Sequence, residues 1–369
     1  MNNTKSILFE NYQLGNLTLS NRTVMSPMTR SRATADHIPT DIMAEYYAQR
    51  SAAGLIITEG TAPSPNGTGY PRIPGIYNNV QVRAWNKVTD AVHAKGGKIF
   101  VQLMHTGRIS HPLNMPENSE VLAPSAIPAG GTKMYTDQKG EKELPTPKAM
   151  TREDIQTTID EFVKASENAV EAGFDGVELH GANGYLLEQF LFPGANNRDD
   201  EYGGSIENRA RYVLEVAKKT ANAIGKDKVG IRLSPFGAFN EVTAAEDEAE
   251  LYNYLSSELG KAGLLYIHIV DHSGMGTPEV PRSIKESIRD NFGGTIILSG
   301  GYDREKAEKD LEEGLGHLVA YGKPFLANPD LVERLKKNAP LNNPDFKTLY
   351  TPGEKGYTDY PRLEEVGQA

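Results

Sequence analysis

Cysteine is missing from all 369 residues of the chain. That absence removes disulfides, thiolate nucleophiles and cysteine-ligated zinc or iron–sulfur clusters together. Positive charge is scarce: 39 Lys and Arg stand against 49 Asp and Glu, a balance of −10 that repels nucleic acid and anionic membranes. Any anionic ligand must then be held by a local basic site, and the expected partner is a small-molecule substrate. No apolar run approaches the ~18 residues of a membrane span, and the start MNNTKSILFENYQLG has no apolar signal core. A cytoplasmic protein is expected. The motifs that are absent narrow the chemistry further. No G-x-G-x-x-G opens a helix after a strand, so no separate dinucleotide domain is expected. GHLVAYGKP lacks the glycine spacing of a phosphate loop, and no Ser or Thr follows Lys323. There is no HExxH and no EF-hand loop, so no metal site is expected.

What is present is a repeated alternation of short β-branched runs with longer helical patterns, the mark of βαβ units and a parallel sheet. Eight strands are predicted: Arg22–Met28, Leu55–Thr61, Lys98–His105, Gly176–His180, Lys228–Leu233, Leu264–Asp271, Thr295–Gly301 and His317–Tyr321. Eight such units in one chain of this length predict a single-domain (β/α)8 TIM barrel over residues 1–369. Thr40 or Asp41 should cap the first helix and Gly54 should stop it in the left-handed region. TREDIQTTIDEFVKASENAVEAG carries a capping box from Thr151 to Asp154 and ends at Gly173. Further helices are predicted at Val80–Lys95, Ser205–Ile224, Ala244–Lys261, Ser283–Asn291, Arg304–Glu313 and Asn328–Lys337. Two segments interrupt the rhythm. YQLGNLTLSNR predicts a hairpin under the barrel, and residues 106–150 predict a long excursion over its mouth. Tyr350–Ala369 should wrap the outside as extended chain.

Active sites of such barrels form where strands end. Here the strands end in SPMTR, TEG, QLMHTGR, ELHGANGY, IRLSP, SGGY and YGKP. The list is rich in hydrogen-bond donors and poor in carboxylates, which suits a ligand with many acceptor atoms, such as an isoalloxazine ring with a phosphate tail. Ser299, Gly300, Gly301, Gly322 and Lys323 offer bare N–H groups and one cation for a phosphate, where the bland reading is a pair of tight turns. Gln102 lies inside a strand and must find a partner, either a ligand or a neighbour. Arg232 ends a strand and points either into the mouth or to a surface ion pair, while His105 reads as a structural histidine. In HGANGY, His180 and Asn183 can both donate to one carbonyl oxygen, and Tyr185 can supply a proton. Alternatively, His180 and Tyr185 pack against GYLLEQFLFP.

Taken together, SPMTRSRA, EGT, VQLMHTGRISHP, AGFDGVELHGANGYLLEQFL, NNRDDEYGGSIENRARYVLEV, GIRLSP, LSGGY, ANPDLVERL and GYTDYP resemble the old yellow enzyme family nearly end to end. The likeness is greatest to its bacterial N-ethylmaleimide and pentaerythritol tetranitrate reductases. The resemblance implies an FMN-containing (β/α)8 barrel that reduces enones, maleimides and nitro esters with NADPH or NADH, one pocket serving nicotinamide and acceptor in turn. It implies that Pro27, Met28, Thr29, Gly60, Gln102 and Arg232 surround a non-covalent flavin, and that Ser299, Gly300, Gly301, Gly322 and Lys323 hold its phosphate. His180 and Asn183 would bind the activating carbonyl, Tyr185 would donate the proton, and Met104 and Tyr357 would border the substrate. Three positions depart from those relatives. Met104 stands where tryptophan is common, softening the wall; Lys323 replaces an arginine and offers a point charge in place of a fork; Asn183 makes a His/Asn pair where others have two histidines. Two rivals remain: a phosphate-binding lyase or isomerase using His180, Glu178 or Glu59 as base, and a flavoprotein that binds or senses without turnover.

Overall fold

The computed structural model describes residues 6–242, 245–273, 276–277 and 279–366. A hairpin, β1 (Tyr12–Leu14) and β2 (Leu17–Leu19), leads into the first barrel strand, β3 (Thr23–Met25). Then follow α1 (Asp41–Gln49), β4 (Leu55–Thr61), α2 (Asn79–His93) and β5 (Ile99–Leu103). The excursion holds β6 (Leu122–Ala123), β7 (Lys133–Thr136), β8 (Gly140–Glu143) and β9 (Lys148–Ala149). The alternation resumes with α3 (Arg152–Glu171), β10 (Gly176–Gly181), α4 (Leu186–Leu191), α5 (Ile206–Ile224), β11 (Val229–Leu233) and α6 (Glu248–Ala262). It continues with β12 (Tyr266–Ile269), α7 (Arg282–Phe292), β13 (Thr295–Ser299), α8 (Arg304–Glu312) and β14 (Leu318–Tyr321), and ends with α9 (Lys323–Ala327), α10 (Leu331–Lys337) and α11 (Leu363–Val366). Strands β3, β4, β5, β10, β11, β12, β13 and β14 pair in parallel and β14 returns to β3, closing a (β/α)8 barrel.

Strand periodicity of two decides what lies inside. Val24, Leu55, Ile57, Phe100, Tyr266, Ile297, Leu318 and Ala320 point inward and pack with Leu14 and Leu19, so the hairpin plugs the end where the strands begin. Its turn is Gly15-Asn16, with Gly15 at φ +54°. The intervening residues, among them Ile56, Val101, Val177, Leu179, Ile231 and Ile267, face the helices in the main core. Following the same parity upward, the inner positions become Gln102, Glu178, His180, Arg232 and His268. The barrel interior is therefore apolar below and polar towards its mouth.

Local signals explain most helix ends. Thr151 Oγ1 accepts from the Asp154 N–H at 3.1 Å and the Thr151 N–H donates back at 2.9 Å, the reciprocal capping box. Gly173, at φ +87°, ends that helix. Gly54 behaves differently from its expected role. Helix α1 stops earlier, at Arg50, and the space beside Gly54 is filled by the Asn21 carbonyl, so its missing side chain permits a close backbone approach. Thr40 precedes α1, but its hydroxyl donates to the Arg32 carbonyl at 2.8 Å and caps nothing. Of the expected helix from Ala244, the first residue lies outside the described residues, and the helix begins at Glu248. Among the described residues no helix is long and apolar enough to cross a membrane.

The chain after α10 is mainly irregular up to α11, with residues 367–369 outside the described part. Three buried arginines grip it and its surroundings through main-chain carbonyls. Arg30 donates to Leu349 O (3.2 Å) and Gly356 O (2.6 Å), Arg32 to Leu349 O (2.6 Å) and Thr348 O (2.9 Å), and Arg50 to Phe325 O and Leu326 O (both 2.8 Å). Arg72 adds a bond to Tyr350 O at 2.8 Å.

Candidate functional site

The turn after β10 gathers three of the expected residues. His180 is the last inward residue of that strand, in register with Arg232, which in turn is in register with His268. Burial first, then Arg232, His268 and His272, hold the His180 pKa well below the ordinary imidazole value. At neutral pH the ring is neutral and carries one N–H. Its Nδ1 is buried with no partner among the described residues. Asn183 adopts φ +60°, which asparagine tolerates better than most residues. Its N–H donates to Ser234 Oγ at 2.9 Å, its C=O accepts from Asn240 Nδ2 at 2.8 Å, and its side-chain oxygen meets His272 Nε2 at 2.9 Å. Tyr185 precedes α4, its ring edge-on to His180 at 5.0 Å and its hydroxyl 3.0 Å from that of Tyr70. Burial raises the Tyr185 pKa, so the phenol keeps its proton at neutral pH.

A buried carboxyl supports this turn from behind. Glu188 accepts from the Gly184 N–H and from Ser234 Oγ, each at 2.5 Å, and Tyr252 OH lies 3.4 Å away. Burial pushes its pKa up to about 7.

Around the mouth, Tyr185 and Met104 share an apolar wall with Ile73, Ile109, Ala129, Met134 and Leu144, so the excursion supplies much of that side. Gly60 lies at an irregularity in the β4–β5 pairing, and a side chain there would run into the Met104 thioether. Gln102 gives its Nε2 to Glu178 Oε1 at 2.8 Å. The other Glu178 oxygen meets Tyr266 OH at 3.1 Å and His268 Nδ1 at 2.9 Å. Arg232 is buried, and its Nε has no partner among the described residues. Pro27 is buried and Met28 and Thr29 half-buried just beyond β3.

At the ends of β13 and β14, Gly300 (φ +123°) and Gly301 (φ +63°) are consecutive positive-φ residues. A Cβ on Gly322 would meet Met28 Sδ at 3.6 Å and Ser26 Cβ at 3.9 Å, ordinary contacts that leave the turn uncrowded. The Ser299 hydroxyl donates to Ile269 O at 3.0 Å, and the Ser299 carbonyl accepts from the Asp271 N–H at 3.1 Å. Lys323 is exposed, with Nζ 5.7 Å from the Phe346 ring centre.

A planar, acceptor-rich ring with a phosphate tail fits this donor set. The orphaned His180 Nδ1 and Arg232 Nε sit at one end and the glycine turns at the other. FMN is such a group.

Tyr357 does not border the mouth. It is fully buried and stacks on Tyr46 at 4.0 Å, between Arg30 (5.0 Å) and Arg32 (4.7 Å). Tyr350, on the same tail, is exposed and near enough to Tyr185 and Tyr70 to raise the pKa of both. Tyr70, His272, Ser234 and Glu188 were also absent from the sequence reading. Tyr70, Ser234 and His272 carry no sequence signal beyond position after a strand or in a loop, and each meets the HGANGY turn across a long separation, whereas Glu188 follows the turn directly and reaches back four residues from α4. Of the three candidate bases of a lyase, the two carboxylates are engaged elsewhere. Glu59 accepts from Tyr47 OH and the Arg30 N–H, both at 3.2 Å, and Glu178 is saturated inside the barrel. His105 is structural: its Nδ1 accepts from the Gly107 N–H at 3.1 Å, and burial lowers its pKa to about 3.

Residues 7–342 match the sequence profile of the NADH:flavin oxidoreductase / NADH oxidase family. The chain is 44% identical over 360 residues to a putative 12-oxophytodienoate reductase 3 of Oryza sativa subsp. japonica, covering 96% of this chain and 92% of that one. It is 41% identical to a probable flavin mononucleotide-dependent alkene reductase of Leishmania infantum, covering 94% and 95%. Among solved structures, morphinone reductase superposes with a TM-score of 0.94 at 43% identity, covering 98% of both chains, and has also been solved in complex with tetrahydroNAD. The old yellow enzyme homologue from Zymomonas mobilis gives 0.91 at 38% identity, covering 96% and 99%. A barrel whose mouth fits FMN, matched in family profile and fold along nearly its whole length, belongs to the old yellow enzyme family and is a flavin-dependent ene-reductase that draws on a nicotinamide.

Proposed function

We propose that the chain acts as one flavin-binding domain in the cytoplasm. It would reduce the C=C bond of enones and maleimides, and also nitro esters, with NADH or NADPH as transient reductant. The observation that carries this reading is the convergence of a neutral His180, Asn183 and a protonated Tyr185 in a single turn at the mouth. Pro27, Met28, Thr29, Gly60, Gln102 and Arg232 would hold the ring of a non-covalent FMN. Ser299, Gly300, Gly301, Gly322 and Lys323 would hold its phosphate. When bound, the flavin supplies hydride to the alkene β-carbon.

The protein's own groups do the rest. His180 and Asn183 each donate to the substrate carbonyl, stabilising the negative charge that grows on its oxygen. Tyr185 transfers its phenolic proton to the α-carbon, and the Tyr70 hydroxyl, 3.0 Å away, stabilises the oxygen left behind. The buried charge of Arg232 favours electron density on the neighbouring ring. Met104, Tyr350 and the excursion residues shape the apolar wall and set which acceptors enter. A lyase or isomerase would need a free base at the mouth; Glu59 and Glu178 are both occupied, and burial holds His180 well below the ordinary imidazole value, which makes it a weak base.

The test is spectroscopic and kinetic. The purified protein is expected to be yellow, to release FMN on denaturation, and to oxidise NADH or NADPH anaerobically only when 2-cyclohexenone is present. Release of FAD, no flavin uptake on reconstitution, or no enone-dependent oxidation would overturn the proposal.

A further inference from the structure

We propose that His272 is a positioning residue for alkene reduction, holding the Asn183 amide so that its NH2 group, and not its carbonyl, faces the substrate. The inference rests on the reading of Asn183 as a carbonyl donor. An asparagine amide is an acceptor at one end and a donor at the other, with almost the same shape either way round. Something must choose between the two orientations. The contacts to Ser234 and Asn240 fix only the Asn183 backbone. The side chain is engaged by His272 alone among the described residues, Nε2 to Oδ1 at 2.9 Å.

Two facts make His272 fit for that task. Burial and the Arg232 charge lower its pKa to about 4, so at neutral pH the ring is neutral and carries one N–H. In the tautomer that carries this proton on Nε2, the ring pairs only with the amide oxygen, which leaves both amide N–H groups for the mouth. The ring is also held in place. It stacks on Phe239 at 5.7 Å and 21°, and the preceding Asp271 is anchored by the buried Lys285 ammonium at 2.8 Å and by the Ser273 N–H at 2.9 Å. Asn183 and His272 lie 89 residues apart, so the barrel brings the orienting group to the donor from a different strand end.

The experiment measures 2-cyclohexenone binding to the oxidised, FMN-loaded enzyme from the flavin absorbance change. It compares wild type with His272→Phe, His272→Gln, Asn183→Ala and the double variant His272→Phe/Asn183→Ala. Phenylalanine keeps the ring and its stacking but cannot donate, whereas glutamine can. His272→Phe and Asn183→Ala are each expected to weaken binding about five- to tenfold, the worth of one hydrogen bond. His272→Gln should stay within about twofold of wild type, and the double variant should match Asn183→Ala alone. The enone KM should rise with the Kd while flavin content is unchanged. Should His272→Phe fail to fold, His272→Met is a second non-donor with the same expected loss. Wild-type binding in the non-donor variant, or a full further loss in the Asn183→Ala background, would overturn the inference while leaving the role of Asn183 intact. Undiminished binding in Asn183→Ala itself would overturn that role, and the inference with it.

Discussion

Replacing Tyr185 by phenylalanine separates proton transfer from everything else this side chain does. Its ring lies edge-on to His180 at 5.0 Å and to Tyr70 at 6.2 Å, and both contacts survive the change. What is lost is one hydroxyl and its 3.0 Å bond to Tyr70 OH, worth about 1 kcal/mol of fold stability. The kinetic loss should be much larger. A positioned general acid contributes about 10²–10⁴, or roughly 3–5 kcal/mol of barrel-mouth chemistry at 1.36 kcal/mol per decade. Because burial raises the phenol pKa, wild-type Tyr185 is fully protonated near pH 7 and the whole effect should be visible there. Stopped-flow measurement of both half-reactions on the same variant provides the assay. Reoxidation by an enone should collapse, reduction by nicotinamide should stay near normal, and reaction with nitro esters, which need no carbon protonation, should be spared. Tyr70→Phe should slow only the enone step, by about tenfold, since a bond to a developing phenolate is at the weaker end of charge-assisted ones. Equal losses in both half-reactions of Tyr185→Phe would refute the assignment and make the residue a wall of the pocket.

Lys323→Ala should loosen FMN roughly three- to tenfold without unfolding the protein, the low end for a charge-assisted contact because the residue is exposed; Lys323→Arg should tighten it, and a fluorescence titration of released flavin reads both. Glu188, with a pKa raised by burial to about 7, binds more protons folded than unfolded, so its contribution to stability falls as pH rises from about 4.5 to about 7. The stability of Glu188→Gln relative to wild type should therefore grow across that window, by an order of magnitude of a few kcal/mol at most, and a pH-independent difference in denaturant unfolding would refute it. Gly54→Ala would drive a methyl into the Asn21 carbonyl and should cost about 1–3 kcal/mol in thermal or denaturant unfolding; a neutral result would mean that the backbone there can yield.

The barrel was legible because each parallel strand is buried on both faces and stands out as a short apolar run between helical patterns. Leu55–Thr61 was found to the residue. The first strand was drawn too long because Pro27 has no N–H to give to the ladder, which ends at Met25. Helix α4 escaped notice because all six of its residues are buried and no polar stripe reveals the helical period. At the site, strand-end position singled out His180 and Arg232 and in-strand polarity singled out Gln102, and the folded strands put all three on the inward side. The HGANGY turn kept its donors together because they are neighbours in sequence. Tyr350 and Tyr357 could not be told apart, since both lie on one irregular segment and only the arginines beneath it determine which tyrosine is covered. His272 and Tyr70 were hidden for the same reason: they reach the site from other strand ends.

That arginine grip has a consequence for how the enzyme can change. Arg30, Arg32 and Arg72 hold the segment around Tyr350 by its carbonyls, which every amino acid possesses. Side chains on the outer face of this segment can therefore be exchanged while the anchorage stays the same. The rim of the pocket is in effect a fixed rail with interchangeable fittings, and acceptor range can drift at position 350 without disturbing the barrel that performs the chemistry.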